Sequence, residues 1–436
     1  MNMRVRTAAG TSKSSYTGTP GEFDMDGEMQ GKGDVMCLWT LISDSILRTH
    51  RKRCRGVTLR HVATDLFTHR CADAYIDNTD TLERASENET MQSERHAEEE
   101  DHEHDEEVPM EVDGIAEATE NLQHSADQWS KLVATIGHLM AFHKCCWQIL
   151  AWIGVNGRLI PRTRDQIHGD IFLRDDRGLT SKIKFKPSEQ PNVGLGFSLA
   201  PLGSQTPEYE KRIEQAKTCA TAVSPARLSV TEAWLTLVTR VIPKVTYPFM
   251  LTSFTVRQCH RFSVILDNVF LPKLGINRKM ARAIVYGPQD LGGVGYPSLG
   301  TIQDQKGIGH LLKHLQWNKE VGQDLIILLS AAQIQSGLTS QIMDDTTHKI
   351  TYLEPGYISH IRNRLHHLGG SMWIENAWVP SLQRERDQSI MDAFIRVTAK
   401  GASAKKLEEA NLCRMWAKVI TIAELAEING SRIRPE

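Results

Sequence analysis

Apolar positions recur at helical spacing over residues 38–48, where LWTLISDSILR keeps Leu38, Leu41, Ile42 and Ser45 or Ile46 on one side. Before it, residues 1–36 are rich in Gly, Ser, Thr and charge and end in GEMQGKGD, a pattern of turns and short strands. After it, GVTLRHVATDLFTHRCADAYIDNTDTL predicts two or three strands with a turn near Asp77. From Glu83 to about Gln123 there are no aromatics and no apolar periodicity, which predicts a disordered insertion. Order resumes at Trp129: WSKLVATIGHLMAFHKCCWQILAWI predicts a helix and then an apolar, aromatic strand. KIKFKPSEQPNVGLGFSLAPLG is strand-rich and turns at Gly194, Gly196 and Gly203. Past Pro207 the pattern changes to helices joined by Pro or Gly breaks. Ile308, Leu311, Leu312 and Leu315 keep helical spacing, as do Leu412, Met415, Trp416, Val419 and Ala423.

The pattern implies an α+β chain, and 436 residues allow two or three domains. No apolar run approaches the roughly 20 residues that span a bilayer. The basic start MNMRVRTAAGTSKSS has no apolar core of a secretory signal. The expectation is an intracellular protein, nuclear or cytoplasmic, with no membrane partner. Eight cysteines are scattered without a C-x-x-C pair or a zinc-site Cys/His spacing, which predicts reduced structural thiols.

Charge alters this picture. Between Glu83 and Glu120 there are 16 acids against two bases, a net of −14 within a chain whose total is −2, so the remainder carries +12. Such an excess suits a surface that meets phosphates. Two clusters concentrate it: Arg51, Lys52, Arg53 and Arg55 at the end of the first helix, and Lys273, Arg278, Lys279 and Arg282 farther on. RNA or DNA is the partner these clusters suggest, while residues 83–120 are a candidate surface for basic proteins. His96, His102 and His104 lie within the acidic tract and read as part of a solvating segment. LGGVGYPSLG, residues 291–300, is not expected to open a helix, contains Pro297 and lacks a surrounding β-α-β unit, so it reads as a turn and not a dinucleotide loop. His366 and His367 before Gly369 read as a glycine-capped helix end.

Several segments, in order, carry a resemblance. Lys32, Gly33 and Asp34 open KGDVMCL; Tyr75, Asp77 and Asn78 lie in AYIDNT; Lys144 lies in GHLMAFHKCCWQILAW; Leu195, Gly196 and Phe197 centre PNVGLGFSLAPLG. The chain resembles the reverse transcriptases of retroelements, most nearly those of the non-long-terminal-repeat type. The four segments resemble, in turn, motif B, the motif C hairpin of the palm, motif D and the primer grip. The resemblance implies template and nucleotide contacts at Lys32, Gly33, Asp34, Tyr75 and Asn78, a primer grip at Leu195, Gly196 and Phe197, and catalytic roles for Asp77, as a metal ligand, and Lys144. It divides the chain into a partial palm over 1–82, an acidic insertion over 83–127, the rest of the palm over 128–204, a thumb-like helical region over 205–300 and a C-terminal helical region over 301–436.

Nucleotidyl transfer by this family uses two Mg²⁺ about 4 Å apart, held by hard oxygen ligands from motifs A and C. No segment here resembles motif A, since Asp24 and Asp26 lie in the turn-like GEFDMDGE. Asn78 stands where the family has its second motif C acid, and Lys32, Val35, Cys37 and Leu38 depart from the motif B pattern. Asp77 therefore has two readings, a surviving metal ligand or an Asx-turn residue. Lys144 is either a general acid or a plain surface lysine. The expectation is a truncated, reverse-transcriptase-like protein inactive as a polymerase, with Mg²⁺ needed only if active. A non-catalytic nucleic-acid-binding protein and a helical scaffold with an acidic tract are the alternatives.

Overall fold

The computed structural model describes residues 6–7, 10–11, 35–75, 78–85, 114–135, 140–155, 158–174, 178–194, 196–398 and 403–426. The chain divides into two compact units, one of Met1–Val57 with His69–Ser188 and one of Thr58–Thr68 with Glu189–Glu436. It is mixed α/β and mostly helical, and every ladder among the described residues has two strands.

In the first unit β1 (Arg6–Thr7) and β2 (Gly10–Thr11) pair antiparallel. The helix predicted around 38–48 is α1 (Val35–Arg51), packed on β5 and on the long helix α2. The hydrophobic run after it forms two hairpins instead of two or three strands: β3 (Val57–Arg60) with β4 (Phe67–Arg70), of which Thr58–Thr68 belongs to the second unit, and β5 (Ala72–Tyr75) with β6 (Asn78–Thr81).

Helix α2 (Gly114–Thr135) corrects one boundary, because residues 114–127 were expected to belong to the unstructured acidic insertion. Ile115, Leu122 and Ala126 share one face and pack with Trp147, Ile167, Ile171, Leu173 and Ile183, and Trp129 is buried farther along the helix. The helix therefore has an apolar stripe that its acidic residues hide from a composition count. Short ladders complete this unit: β7 (Cys146–Trp147), β8 (Trp152–Val155) with β9 (Arg158–Pro161), β10 (Phe172–Arg174) with β11 (Thr180–Lys182), and β12 (Lys184–Phe185), parallel to β7.

The second unit begins its continuous stretch with the hairpin β13 (Asn192–Gly194) and β14 (Phe197–Leu199), then α3 (Thr206–Val223). Next come α4 (Val230–Thr236), a π-helical turn over Leu237–Val241, α5 (Ile242–Val245), α6 (Val256–Lys273) and α7 (Arg282–Tyr286). Leu237, Phe249, Phe254, Phe262, Phe270 and Tyr296 form their shared core. A second core around Leu311, Ile342, Met343, Ile361 and Met391 joins α8 (Leu299–Trp317), α9 (Glu320–Ser336), α10 (Tyr357–Leu368) and α11 (Ile390–Thr398). Gly369, at φ 64°, caps α10 as the sequence implied, and Gly292 and Gly295 at positive φ make 291–300 turn-rich. Ser298 nonetheless caps α8, so the end of that loop does open a helix.

The last helices, α12 (Ala404–Trp416) and α13 (Ile422–Leu425), depart from expectation. Leu412, Met415 and Trp416 face solvent, Trp416 being 88% exposed, while Asn411 and Arg414 are buried. Arg414 turns inward because its guanidinium donates to the carbonyls of Ile334, Gln335 and Val419. It thereby adds to the capping of carbonyls at the end of α9, where the Gly337 N–H also donates to Ile334 O.

Candidate nucleic-acid interface

The hairpin expected to resemble motif C forms, with Tyr75 opposite Asn78 and only Ile76 and Asp77 between them. Asp77 itself lies outside the described residues, as do Lys32, Gly33, Asp34 and Leu195. Along the ladder Asp73 faces Asp80, a pairing of like charges that costs stability unless neutralised. Burial and the facing Asp73 push the Asp80 carboxyl up, and Arg70 lies 3.8 Å from Asp73. Two Mg²⁺ ions require more oxygen ligands than these two carboxylates supply. Among the described residues no group of three or more His, Cys, Asp or Glu is arranged to hold a metal ion. Lys144 is exposed and closes the 3-10 turn Phe142–Lys144.

Gly196 turns between β13 and β14 at φ 84°, a left-handed conformation that suits glycine. Its carbonyl accepts from Lys211 Nζ at 2.7 Å and Arg212 Nη2 at 2.9 Å. Arg212 is 3% exposed and paired with Glu208 at 2.5 Å, and Glu208 also accepts from the backbone N–H of Ser198. The hairpin containing Phe197 is thus bolted to α3 through a buried, fully hydrogen-bonded ion pair.

Burial pushes Cys71 up to about 11 and Cys259 up to about 12, which leaves both protonated at neutral pH.

The first basic cluster follows α1. Arg51, Lys52, Arg53 and Arg55 are all exposed, yet Arg55 pairs with Glu117 at 2.6 Å and Arg53 donates to Gln128 Oε1 at 3.1 Å. Helix α2 therefore takes up part of this charge, which followed from no feature of the sequence near residue 53.

The second cluster divides by role. Lys273 donates to the carbonyl of Ala226 at 2.7 Å, and Arg282 lies 3.5 Å from Asp267. Those two side chains anchor the ends of the loop, while Arg278 and Lys279 stay exposed on it. The loop geometry comes from the end of α6: Gly275, at φ 73°, donates to Pro272 O and Ile276 donates to Leu271 O at 2.8 Å, the paired bonds of a Schellman cap.

Helix α6 extends the basic surface beyond the residues expected from the sequence. Thr255 caps it with Gln258, and Cys259, Phe262, Leu266 and Phe270 point into the core. That burial leaves Arg257, His260, Arg261, Val264, Asn268 and Pro272 on the solvent side. Between residues 233 and 289 the chain has eight Lys and Arg against one acid, Asp267, which is 2% exposed. Among the described residues none of Arg257, Arg261, Arg278 and Lys279 has an ion-pair partner. The bases at 257 and 261, set against apolar residues at 262, 266 and 270, were a readable signal that a search for dense charge clusters passes over.

Asp267 stabilises this surface from beneath. Tyr286 donates to it at 2.8 Å and Arg282 lies beside it, while burial pushes its carboxyl up. Between the end of α6 and the loop lies an open groove of about 550 Å³, lined by Asn268, Pro272, Ile276, Asn277, Arg278 and Lys279. No helix among the described residues is long and apolar enough to cross a membrane. No family model matches the chain, and no curated protein or solved structure matches it either.

Proposed function

We propose that the chain is a non-catalytic nucleic-acid-binding protein whose phosphate-contacting surface is the outer face of α6 with the loop that follows it. One observation supports this above the others: Arg257, Arg261, Arg278 and Lys279 are exposed without ion-pair partners, in a stretch whose only acid is buried. Unpaired exposed bases are the groups that release counterions when they meet phosphates, so binding should weaken steeply with salt. The test is fluorescence anisotropy with labelled RNA and DNA across a salt series. Salt-sensitive binding that Arg257→Glu with Arg261→Glu weakens supports the reading. Absence of binding at low salt, or capture of basic proteins with indifference to nucleic acid, replaces it with the acidic-tract scaffold.

A reverse-transcriptase origin is the second reading, and it would make residues 1–82 and 128–204 a palm remnant and the helices of residues 205–300 thumb-like. Two hairpins support it, β5–β6 closing across Tyr75 and Asn78 and β13–β14 turning at Gly196, each where the resembling motif requires one. Primer extension with Mg²⁺ should be absent in the native chain and in Asn78→Asp. Extension that Asp77→Ala abolishes would restore an enzymatic reading.

A further inference from the structure

We propose, resting on the nucleic-acid reading above, that the groove at the end of α6 seats one unstacked base, so that the preferred ligand is a single strand. The groove offers what a base needs on each of its sides. Pro272 and Ile276 are an apolar wall, Asn268 and Asn277 are amides for its edge, and Arg278 and Lys279 are cations for the flanking phosphate.

Electrostatics separates the base from the phosphate. The last carbonyls of α6 carry the negative end of the helix dipole, which disfavours an anion at the helix end itself. A neutral base is tolerated there, while the phosphate is held outward on Arg278 and Lys279. From Arg257 to Pro272 the exposed face spans about 22 Å at a helical rise of about 1.5 Å per residue. That length lets a strand lie along Arg257 and Arg261 and end in the groove.

The groove is pre-organised. Gly275 and Ile276 make the Schellman cap, Asn277 Oδ1 accepts from the Lys279 N–H at 2.8 Å, and Lys273 and Arg282 are anchored on either side. The amide of Asn277 keeps its Nδ2 donors for an acceptor on the base. A duplex buries its base faces in stacking and hides them from such a site, whereas an open strand presents a face and an edge together.

The test measures the affinity of the full chain for a single-stranded oligonucleotide and for a duplex of the same length, with 2-aminopurine placed along the single strand. The native protein should favour the single strand and change 2-aminopurine emission. Asn268→Met, which fills the groove from an exposed position without supplying an aromatic face, should lower the single-strand to duplex ratio about fivefold, the low end of one lost base contact. Asn268→Ala should lower it less and in the same direction. Equal binding of the two forms, or a ratio unmoved by Asn268→Met, overturns the base pocket and leaves the phosphate surface standing. Absence of all binding overturns both. Arg257→Glu with Arg261→Glu should weaken both forms alike, which separates the surface from the groove.

Discussion

Residues 51–55 and residues 257–282 look alike as runs of positive charge, but their cations meet different surroundings. After α1, Arg53 and Arg55 reach side chains of α2, so at least two of the four charges are engaged within the unit. On α6 and its loop the division is spatial: Lys273 and Arg282 face inward partners, while Arg257, Arg261, Arg278 and Lys279 have none. A partner of opposite charge has to displace the first set and only has to approach the second. The difference shows that charge density locates candidates for phosphate binding and that the local partners decide which remain available.

The largest effect is expected where a cation is fully committed. Arg212→Leu leaves Glu208 buried without its partner and should cost about 3–5 kcal/mol of stability, read from urea unfolding of the native and variant chains. A loss near zero would mean that the β13–β14 hairpin does not depend on that pair.

Free cations should report next. Reversing Arg257, Arg261, Arg278 and Lys279 to Glu should take the slope of log affinity against log salt for a single strand from about −3 to near zero, at about 0.7 per phosphate. An unchanged slope would break the comparison, because the exposed face would then be idle. Stability should change little, since none of the four makes an ion pair.

A third effect concerns charge that the interior refuses. His360 is pushed down from 6.5 to about 4 by burial, with Arg364 adding to it, and its Nε2 lies 3.2 Å from Gln303 Nε2. The folded state therefore keeps His360 neutral where the unfolded chain would take a proton. Its contribution is fully present above pH 6.5 and is lost as pH falls toward 4, at up to about 1.4 kcal/mol per pH unit. Denaturation midpoints at pH 7.5 and pH 5 should differ less in His360→Gln. Equal pH dependence in both chains would place the titration elsewhere.

The smallest effect belongs to the first cluster. Arg51→Glu, Lys52→Glu and Arg53→Glu together should change the salt slope by no more than about 0.7, one phosphate's worth, because Arg53 is already engaged and Arg51 is not free either. A change as large as that from the α6 set would make the two clusters equivalent and the partner argument wrong.

Local patterns were legible wherever neighbours in sequence are neighbours in space. The helix at Val35–Arg51, the hairpin that pairs Tyr75 with Asn78, the turns at Gly196 and Gly203 and the glycine cap at Gly369 follow from periodicity and backbone preference over a few residues. Even there, context intervened. The apolar face expected at Leu412, Met415 and Trp416 is outside, because Arg414 found carbonyls at the end of a helix about 80 residues earlier. Likewise, acidic composition concealed Ile115, Leu122 and Ala126, which pack into a core with Trp147 and Ile171.

What the sequence determined by itself was the sign and distribution of charge, the elements with clear local periodicity and the single acid between residues 233 and 289, since these are properties of residue identity and short-range spacing. Only the tertiary structure decided which cations are free. A long flexible side chain takes whichever acceptor folding brings within about 3 Å, and that acceptor comes from a distant part of the chain, as Glu117 does for Arg55 and Ala226 does for Lys273. The same holds for Asp267, whose burial beneath the α6 face removes the one negative charge that would oppose a phosphate at that surface.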